Sequence, residues 1–443
     1  MRRVLPSLLI VVTAAAATGE EPLTLREAMA RARQNAREVA AAQSRHEAAR
    51  ARLDQAKGFR LPGLKLEENW IRTNSPADAF ALQLNQKRFS FNDFVSSDPN
   101  NPAPLNTAIT RLEASLPLYT GGELSGKIHQ AELAADSASG SALWAANQAA
   151  WEAGKAFVML SQAEEYVTLL KHARDTVEAH VDLARAYEKQ GMLVRSDLLR
   201  AEVELSHVED MLTEAKGRVR IASANLAFRL GVDQGASWSL APLARPSRLT
   251  EGVEGWLATA EKRQDLQAAR QMLRAGELEE SVRRAAFMPK VGVVGRADWV
   301  DDKLFGTRAD SYSIMAQASI NLFAGGSDRA AVSAARWDAK AGREDVLRFD
   351  DGVRLEVRQA YEETVTAAAR QETAAKALAA AQEAERITRE RFAKGVVKML
   401  DLLDASTARR EAETRELAAR ADANAALLRL ALVSGRAPES VLQ

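Results

Sequence analysis

Two apolar periods alternate along this chain. Apolar residues three or four apart run through Ala156, Phe157, Leu160, Ala163, Val167 and Leu170, and again through Val353, Val357, Ala360, Tyr361 and Thr364, which gives each segment one apolar helical face. A period of two runs through Ala108, Thr110, Leu112, Ala114, Leu116 and Leu118, with Arg111, Glu113 and Ser115 opposite. It returns in Tyr312, Ile314, Ala316, Ala318, Ile320 and Leu322, set against Ser313, Gln317, Ser319 and Asn321, the signature of a strand with two unlike faces. The partner strands are Gly63 to Arg72 and Lys290 to Val300, which turn Leu64, Leu66 and Trp70, and Val291, Val293 and Trp299, one way. Proline interrupts helix interiors, and none lies between Leu118 and Ala241 or between Lys290 and Ala437. The pattern predicts hairpins over 62–119 and 289–323, long helices over 123–190 and 327–394, and returning helices over 195–230 and 398–434. At 1.5 Å per residue each long helix spans roughly 100 Å, and such helices persist only by packing side by side. The segment Thr73 to Thr107, rich in Asn, Asp, Ser and Pro, is expected as a long loop inside the first hairpin.

The chain repeats itself. At an offset of 204, Ala114-Ser115 matches Ala318-Ser319, Gly121-Gly122 matches Gly325-Gly326, Gly191 matches Gly395, and Asp197-Leu198-Leu199 matches Asp401-Leu402-Leu403. Leu226-Ala227 and Gly231 then match Leu430-Ala431 and Gly435 in the same register. Upstream, Glu38-Val39 answers Asp265-Leu266 and Pro62 answers Pro289. One structural repeat is therefore expected over 18–235 and a second over 253–443, joined by a linker over 236–252.

Composition agrees with closely packed long helices. Of 443 residues, 86 are alanine and 24 aromatic, too little bulk for a conventional globular core. Sixty basic residues balance sixty acidic ones, which removes the electrostatic basis for binding nucleic acid. The absence of cysteine excludes disulfides, thiolate catalysis and cysteine-ligated metals. Five scattered histidines, a Gly325-Gly326-Ser327 without the lysine of a phosphate loop, and no catalytic spacing leave no enzyme, metal site or cofactor to propose. Met1, Arg2 and Arg3 followed by an apolar run of about 14 residues to Ala17 have the form of a secretory leader over 1–17.

The alternating segments are long enough to cross a bilayer, which takes about 9 to 11 tilted residues. Trp70 and Trp299 stand at matching strand ends, where an interfacial aromatic girdle lies in membrane barrels. Alternation alone equally fits two soluble, half-buried hairpins, as in a periplasmic coiled-coil scaffold or adaptor without a pore. If the strands do span a membrane, four of them cannot leave open edges in lipid, so several chains must share one barrel.

Duplicated halves, each with a Gly-Gly after its second strand and a Gly-x5-Asp-Leu-Leu-x-Ala turn some 70 residues later, resemble the TolC family of outer-membrane efflux proteins. The Ala-rich openings Asn35 to Gln43 and Lys262 to Arg270 resemble that family's repeated start, with Ala36 and Gln264 where it usually carries proline. The resemblance implies a mainly helical fold with transmembrane strands: a periplasmic α-barrel, and four strands per chain in a shared, trimeric, twelve-stranded β-barrel. It implies an exit duct across periplasm and outer membrane for efflux or type I secretion. It also implies partners: outer-membrane lipid, a periplasmic adaptor, and an inner-membrane pump of the RND, ABC or MFS type. By position, Asp401 and Asp404 match the acidic ring at the family's periplasmic constriction. Asp197 matches an acid that bridges to a basic residue there. Val397 occupies the usual basic position, and the adjacent Lys398 is the candidate partner. Phe392 stands where a hydrogen-bonding tyrosine is common. Gly191-Met192 and Gly395-Val396 match the turns gripped by the adaptor.

Overall fold

The computed structural model describes residues 22–441 except 97, 245, 247 and 248; the expected leader over 1–17 lies outside the described residues. The helical elements are α1 (Leu25–Asn35), α2 (Arg37–Gly58), α3 (Pro76–Asn85), α4 (Phe91–Ser96), α5 (Glu123–Lys189), α6 (Arg195–Leu230), α7 (Val253–Ala260), α8 (Gln264–Arg284), α9 (Ser327–Ala393) and α10 (Met399–Val433). The strands are β1 (Gly63–Thr73), β2 (Leu105–Tyr119), β3 (Lys290–Asp301) and β4 (Ala309–Ser319). They fall into two compact units, one of residues 43–141 and 265–349, the other of the described residues of 1–42, 142–264 and 350–443. Among the described residues no helix is long and apolar enough to cross a membrane.

The first unit is built on one sheet of order β1-β2-β3-β4 with every neighbouring pair antiparallel. Its register sorts the alternating residues into two faces. Leu66 lies opposite Leu112, Leu112 opposite Ala297, and Ala297 opposite Tyr312, whereas Glu67, Arg111, Asp298 and Ser311 form the next rung on the other face. Leu64, Leu66, Tyr312 and Ile314 are all exposed, so the apolar face is uncovered within the chain. β4 ends at Ser319; Ile320 and Leu322 continue the predicted alternation without a ladder partner. The β2–β3 register shifts between Pro117 and Tyr119, as expected where proline has no N–H to give the ladder.

Gly-Gly turns lead from β2 into α5 and from β4 toward α9. At Gly121, φ is +67, and a Cβ there would lie 2.5 Å from Met288 Cβ and 2.9 Å from the Ala285 carbonyl oxygen, so both backbone and space require glycine. Beyond it, Glu123 accepts hydrogen bonds from Lys127 and Lys290 at 2.6 Å each, and these two ammonium groups hold its carboxyl down at about 2.

The expected loop Thr73 to Thr107 is instead partly folded. It contains α3 and α4, and β2 already begins at Leu105. Pro76 opens α3, where a missing N–H costs nothing. Ala79 and Leu82 give this helix a buried side, and the fully buried Gln86 beyond it donates to Asn106 O at 2.9 Å and Thr107 Oγ1 at 2.7 Å. Polar composition concealed a short helix that rests on two apolar residues and one amide. Lys87 ties the segment to β4 through Asp310 at 2.8 Å, and Arg88 ties it to the β3–β4 connection through Asp302 at 3.3 Å.

The second unit packs helices closely through alanine. Phe157, Leu160, Leu226 and Leu230 are buried among Ala28, Ala32, Ala153 and Ala156. Thr24 starts α1 reciprocally: its Oγ1 accepts the Glu27 N–H at 3.2 Å, and the Glu27 carboxylate accepts the Thr24 N–H at 3.0 Å. An extended residue, Ala36, separates α1 from α2. The described part of the 236–252 segment is non-helical and joins the chain start through a bridge of Leu23 and Leu240, with Leu23 N–H to Ser239 O at 2.8 Å.

Candidate gate and docking turns at the helix ends

The α5–α6 and α9–α10 connections share one backbone design. Gly191 and Gly395 both have φ +72. Gly191 N–H donates to Glu188 O and Met192 N–H to Tyr187 O, each at 2.9 Å; in the second turn Gly395 N–H donates to Phe392 O at 2.8 Å and Val396 N–H to Arg391 O at 3.0 Å. These paired bonds end a helix around a left-handed residue. A Cβ at either glycine would meet nothing within 4 Å; the conformation, not crowding, selects glycine.

The residues after each glycine are apolar and uncovered, Met192 at 60% and Val396 at 70% exposure. Behind them an apolar cluster of Val181, Ala184, Ala201, Phe392, Met399 and Leu402 closes the unit's end. Phe392 packs near the Tyr187 ring, with centroids 6.1 Å apart. It is held by packing.

The first two turns of α10 divide their side chains sharply. Leu402 and Leu403 are buried, whereas Asp401 and Asp404 are exposed. Their spacing of three puts both carboxylates on one helix face. Asp401 accepts the Lys398 backbone N–H at 2.9 Å, fixing one carboxylate at the helix start, where the helix dipole favours negative charge. Asp197 is half-buried at the corresponding place on α6. Among the described residues it forms no ion pair with Lys398 within the chain. Thus Asp401 and Asp404 share one face, and the two bridge candidates are not joined.

Farther from the turns lies a polar layer that sequence reasoning missed. Buried Glu385 of α9 accepts from Arg389 at 2.5 Å and from Arg409 of α10 at 2.7 Å. Arg409 also reaches Glu413 at 2.9 Å, and buried Arg410 donates to Glu204 of α6 at 2.7 Å. Burial opposes ionisation of Glu385, but the Arg409 and Arg389 hydrogen bonds outweigh it and hold its carboxyl below the usual range. His180 of α5 is buried with Nδ1 unpartnered; burial first, and the nearby Arg389 charge second, push its pKa down. The signal available in sequence was Glu385 and Arg389 at i,i+4, which in a charged helix reads as solvated surface.

On the sheet, Trp70 lies opposite Ala108, and Trp299 opposite Thr110, on the same apolar face two residues apart in height. Trp70 is 55% exposed, whereas Trp299, on an inner strand, is half-buried.

A family model described as outer membrane efflux protein matches residues 28–232 and 258–436. The chain belongs to the outer membrane efflux protein family. It is 26% identical over 377 residues to outer membrane protein OprJ of Pseudomonas aeruginosa, covering 81% of this chain and 73% of that protein. Its fold is similar to that of a membrane protein from Pseudomonas aeruginosa (TM-score 0.80, 21% identity, 93% of this chain and 92% of that one). It is likewise similar to the CmeC outer membrane channel of Campylobacter jejuni (TM-score 0.77, 15% identity, 93% and 85%). The family consists of efflux channels rather than enzymes, and membership sets aside the soluble scaffold. The chain is an outer-membrane channel component with a mainly helical body and membrane strands.

Proposed function

We infer that three copies of this chain form one exit duct, its barrel closed by strands from all three and its flow governed at the α5–α6 and α9–α10 turns. The observation that carries this reading is the sheet: among the described residues it has four strands, an uncovered apolar face, and β1 and β4 paired on one side only. Open edges are not stable in lipid, and pairing β4 of one copy with β1 of the next removes them. Trp70 and Trp299 then belong to the aromatic girdle at one membrane interface.

Asp401 and Asp404 would line the constriction, six carboxylates in a trimer. Such a ring attracts cations and holds multivalent ones longest. Asp197 and Lys398, unjoined within the chain, are proposed to bridge in the closed trimer. Gly191-Met192 and Gly395-Val396 offer exposed apolar side chains on rigid turns as the contact for a periplasmic adaptor, through which an inner-membrane pump supplies the energy. The fold itself carries the passage, not the driving reaction.

Blockade of the reconstituted pore by a trivalent cation tests the ring. Asp401→Asn with Asp404→Asn is expected to weaken block at least about tenfold; equal block of variant and wild type would move the constriction elsewhere. Lys398→Ala is expected to raise resting conductance, and unchanged conductance would dismiss the bridge.

A further inference from the structure

The polar face of the sheet holds a second electrostatic feature, remote in sequence from the helix-end acids. Three consecutive strands carry the same short pattern, a basic residue and an acidic one two positions later: Lys65 and Glu67 on β1, Arg111 and Glu113 on β2, Arg296 and Asp298 on β3. Because neighbours run antiparallel, the identical pattern inverts from strand to strand. The register sets Lys65 opposite Glu113 and Glu113 opposite Arg296, and on the next rung Glu67 opposite Arg111 and Arg111 opposite Asp298. Signs therefore alternate both across and along the strands.

The contacts complete the cancellation. Arg111 donates to both Asp298 oxygens, at 2.8 and 3.2 Å, and Arg296 donates to Glu113 at 2.7 Å, while Lys65 pairs with Glu67. β4 adds only Ser311 and Ser313 to these rungs. Three cations and three anions leave no net charge. In a membrane barrel the apolar face meets lipid, so this face meets the lumen.

We propose that this checkerboard is a charge-compensated belt around the barrel lumen, a specificity-determining element that admits solutes of either sign. A ring of one sign would focus a field across the lumen and select by charge. Opposite charges at hydrogen-bonding distance cancel well within the roughly 8 Å over which salt screens what remains. The belt leaves ionic discrimination to other parts of the duct. The proposal rests on the barrel reading and is independent of the acidic ring at the helix ends.

The K⁺/Cl⁻ permeability ratio of the full-length protein in planar bilayers, read from reversal potentials in a KCl gradient, tests it with three variants. Glu113→Gln unbalances the belt toward positive charge and should lower the ratio about twofold or more; Arg296→Gln should raise it by a similar factor. Glu113→Gln with Arg296→Gln removes a whole pair and should restore the wild-type ratio. Opposite shifts in the singles and none in the double establish compensation. Wild-type ratios in both singles, or a shift in the double as large as in either single, would overturn it. If one single variant does not assemble, the other still reads the sign. Asp401→Asn with Asp404→Asn, measured alongside, isolates the ring: an unchanged ratio there defeats the ring and not the belt, while absence of wild-type conductance defeats the barrel reading itself.

Discussion

The two helix-end turns share a backbone and differ in what they bury. Gly191 and Gly395 have the same φ and paired hydrogen-bond pattern, and an acid follows six residues later in each. Yet α10 buries Leu402 at 1% and Leu403 at 8%, whereas on α6 Leu198 is half-buried and Leu199 is 50% exposed. The helix starts account for part of this. Met399 is buried at the first position of α10, where α6 has the exposed Arg195. Anchoring that position turns Leu402 and Leu403 inward and Asp401 and Asp404 outward. Farther along, buried Glu385 stands where the first half has buried Val181. Duplication preserved the turn, and side-chain divergence gave the second copy the charged face and the polar layer.

Substitutions can break this contrast, beginning with the largest effect. Leu402→Ala should destabilise the protein by about 2–5 kcal/mol through a buried cavity, whereas Leu199→Ala should stay within about 0.5 kcal/mol; comparable losses in thermal unfolding would erase the asymmetry. Glu385→Gln should cost about 1–3 kcal/mol, since two arginines lose a charged acceptor but retain access to water. An unchanged melting temperature would make the polar layer dispensable. Gly191→Ala and Gly395→Ala should each cost about 1–2 kcal/mol, the penalty of a left-handed alanine in open space. Equal values sharpen the claim that the backbones are equivalent, and a twofold disparity would contradict it.

The smallest effect is on pH. His180 has its pKa lowered in the fold, so below the ordinary value of about 6.5 the unfolded chain binds a proton that the folded chain resists. Its contribution to stability is complete above that pH and falls as pH drops toward the folded value. The melting temperature should fall more steeply below pH 6.5 in wild type than in His180→Gln; parallel curves would show that the burial of this imidazole does not govern acid sensitivity.

The fold was legible where one period governs a long segment. Apolar spacing and the gaps between prolines marked the long helices, and alternation put Leu64, Leu66 and Trp70, Leu112, and Ile314 on the apolar side of their own strands, which the register joins into one face. Gly191 and Gly395 were legible because a turn requires a left-handed residue. What stayed hidden depended on partners that no local pattern names. α3 rests on Ala79, Leu82 and Gln86 within a polar stretch. Glu385 is buried only because Arg409 arrives from another helix. The Lys65, Arg111 and Arg296 patterns cancel only in the register that the sheet adopts. Asp401 and Asp404 were singled out by their match to the family's constriction position, and their exposure follows from the burial of Met399, Leu402 and Leu403 beside them.

Native mass spectrometry of the protein extracted from purified outer membranes in mild detergent tests the shared duct most directly. The account predicts a complex of three chains, because only pairing between copies satisfies β1 and β4 in lipid. A monomer with its strands intact in the membrane would contradict the shared barrel.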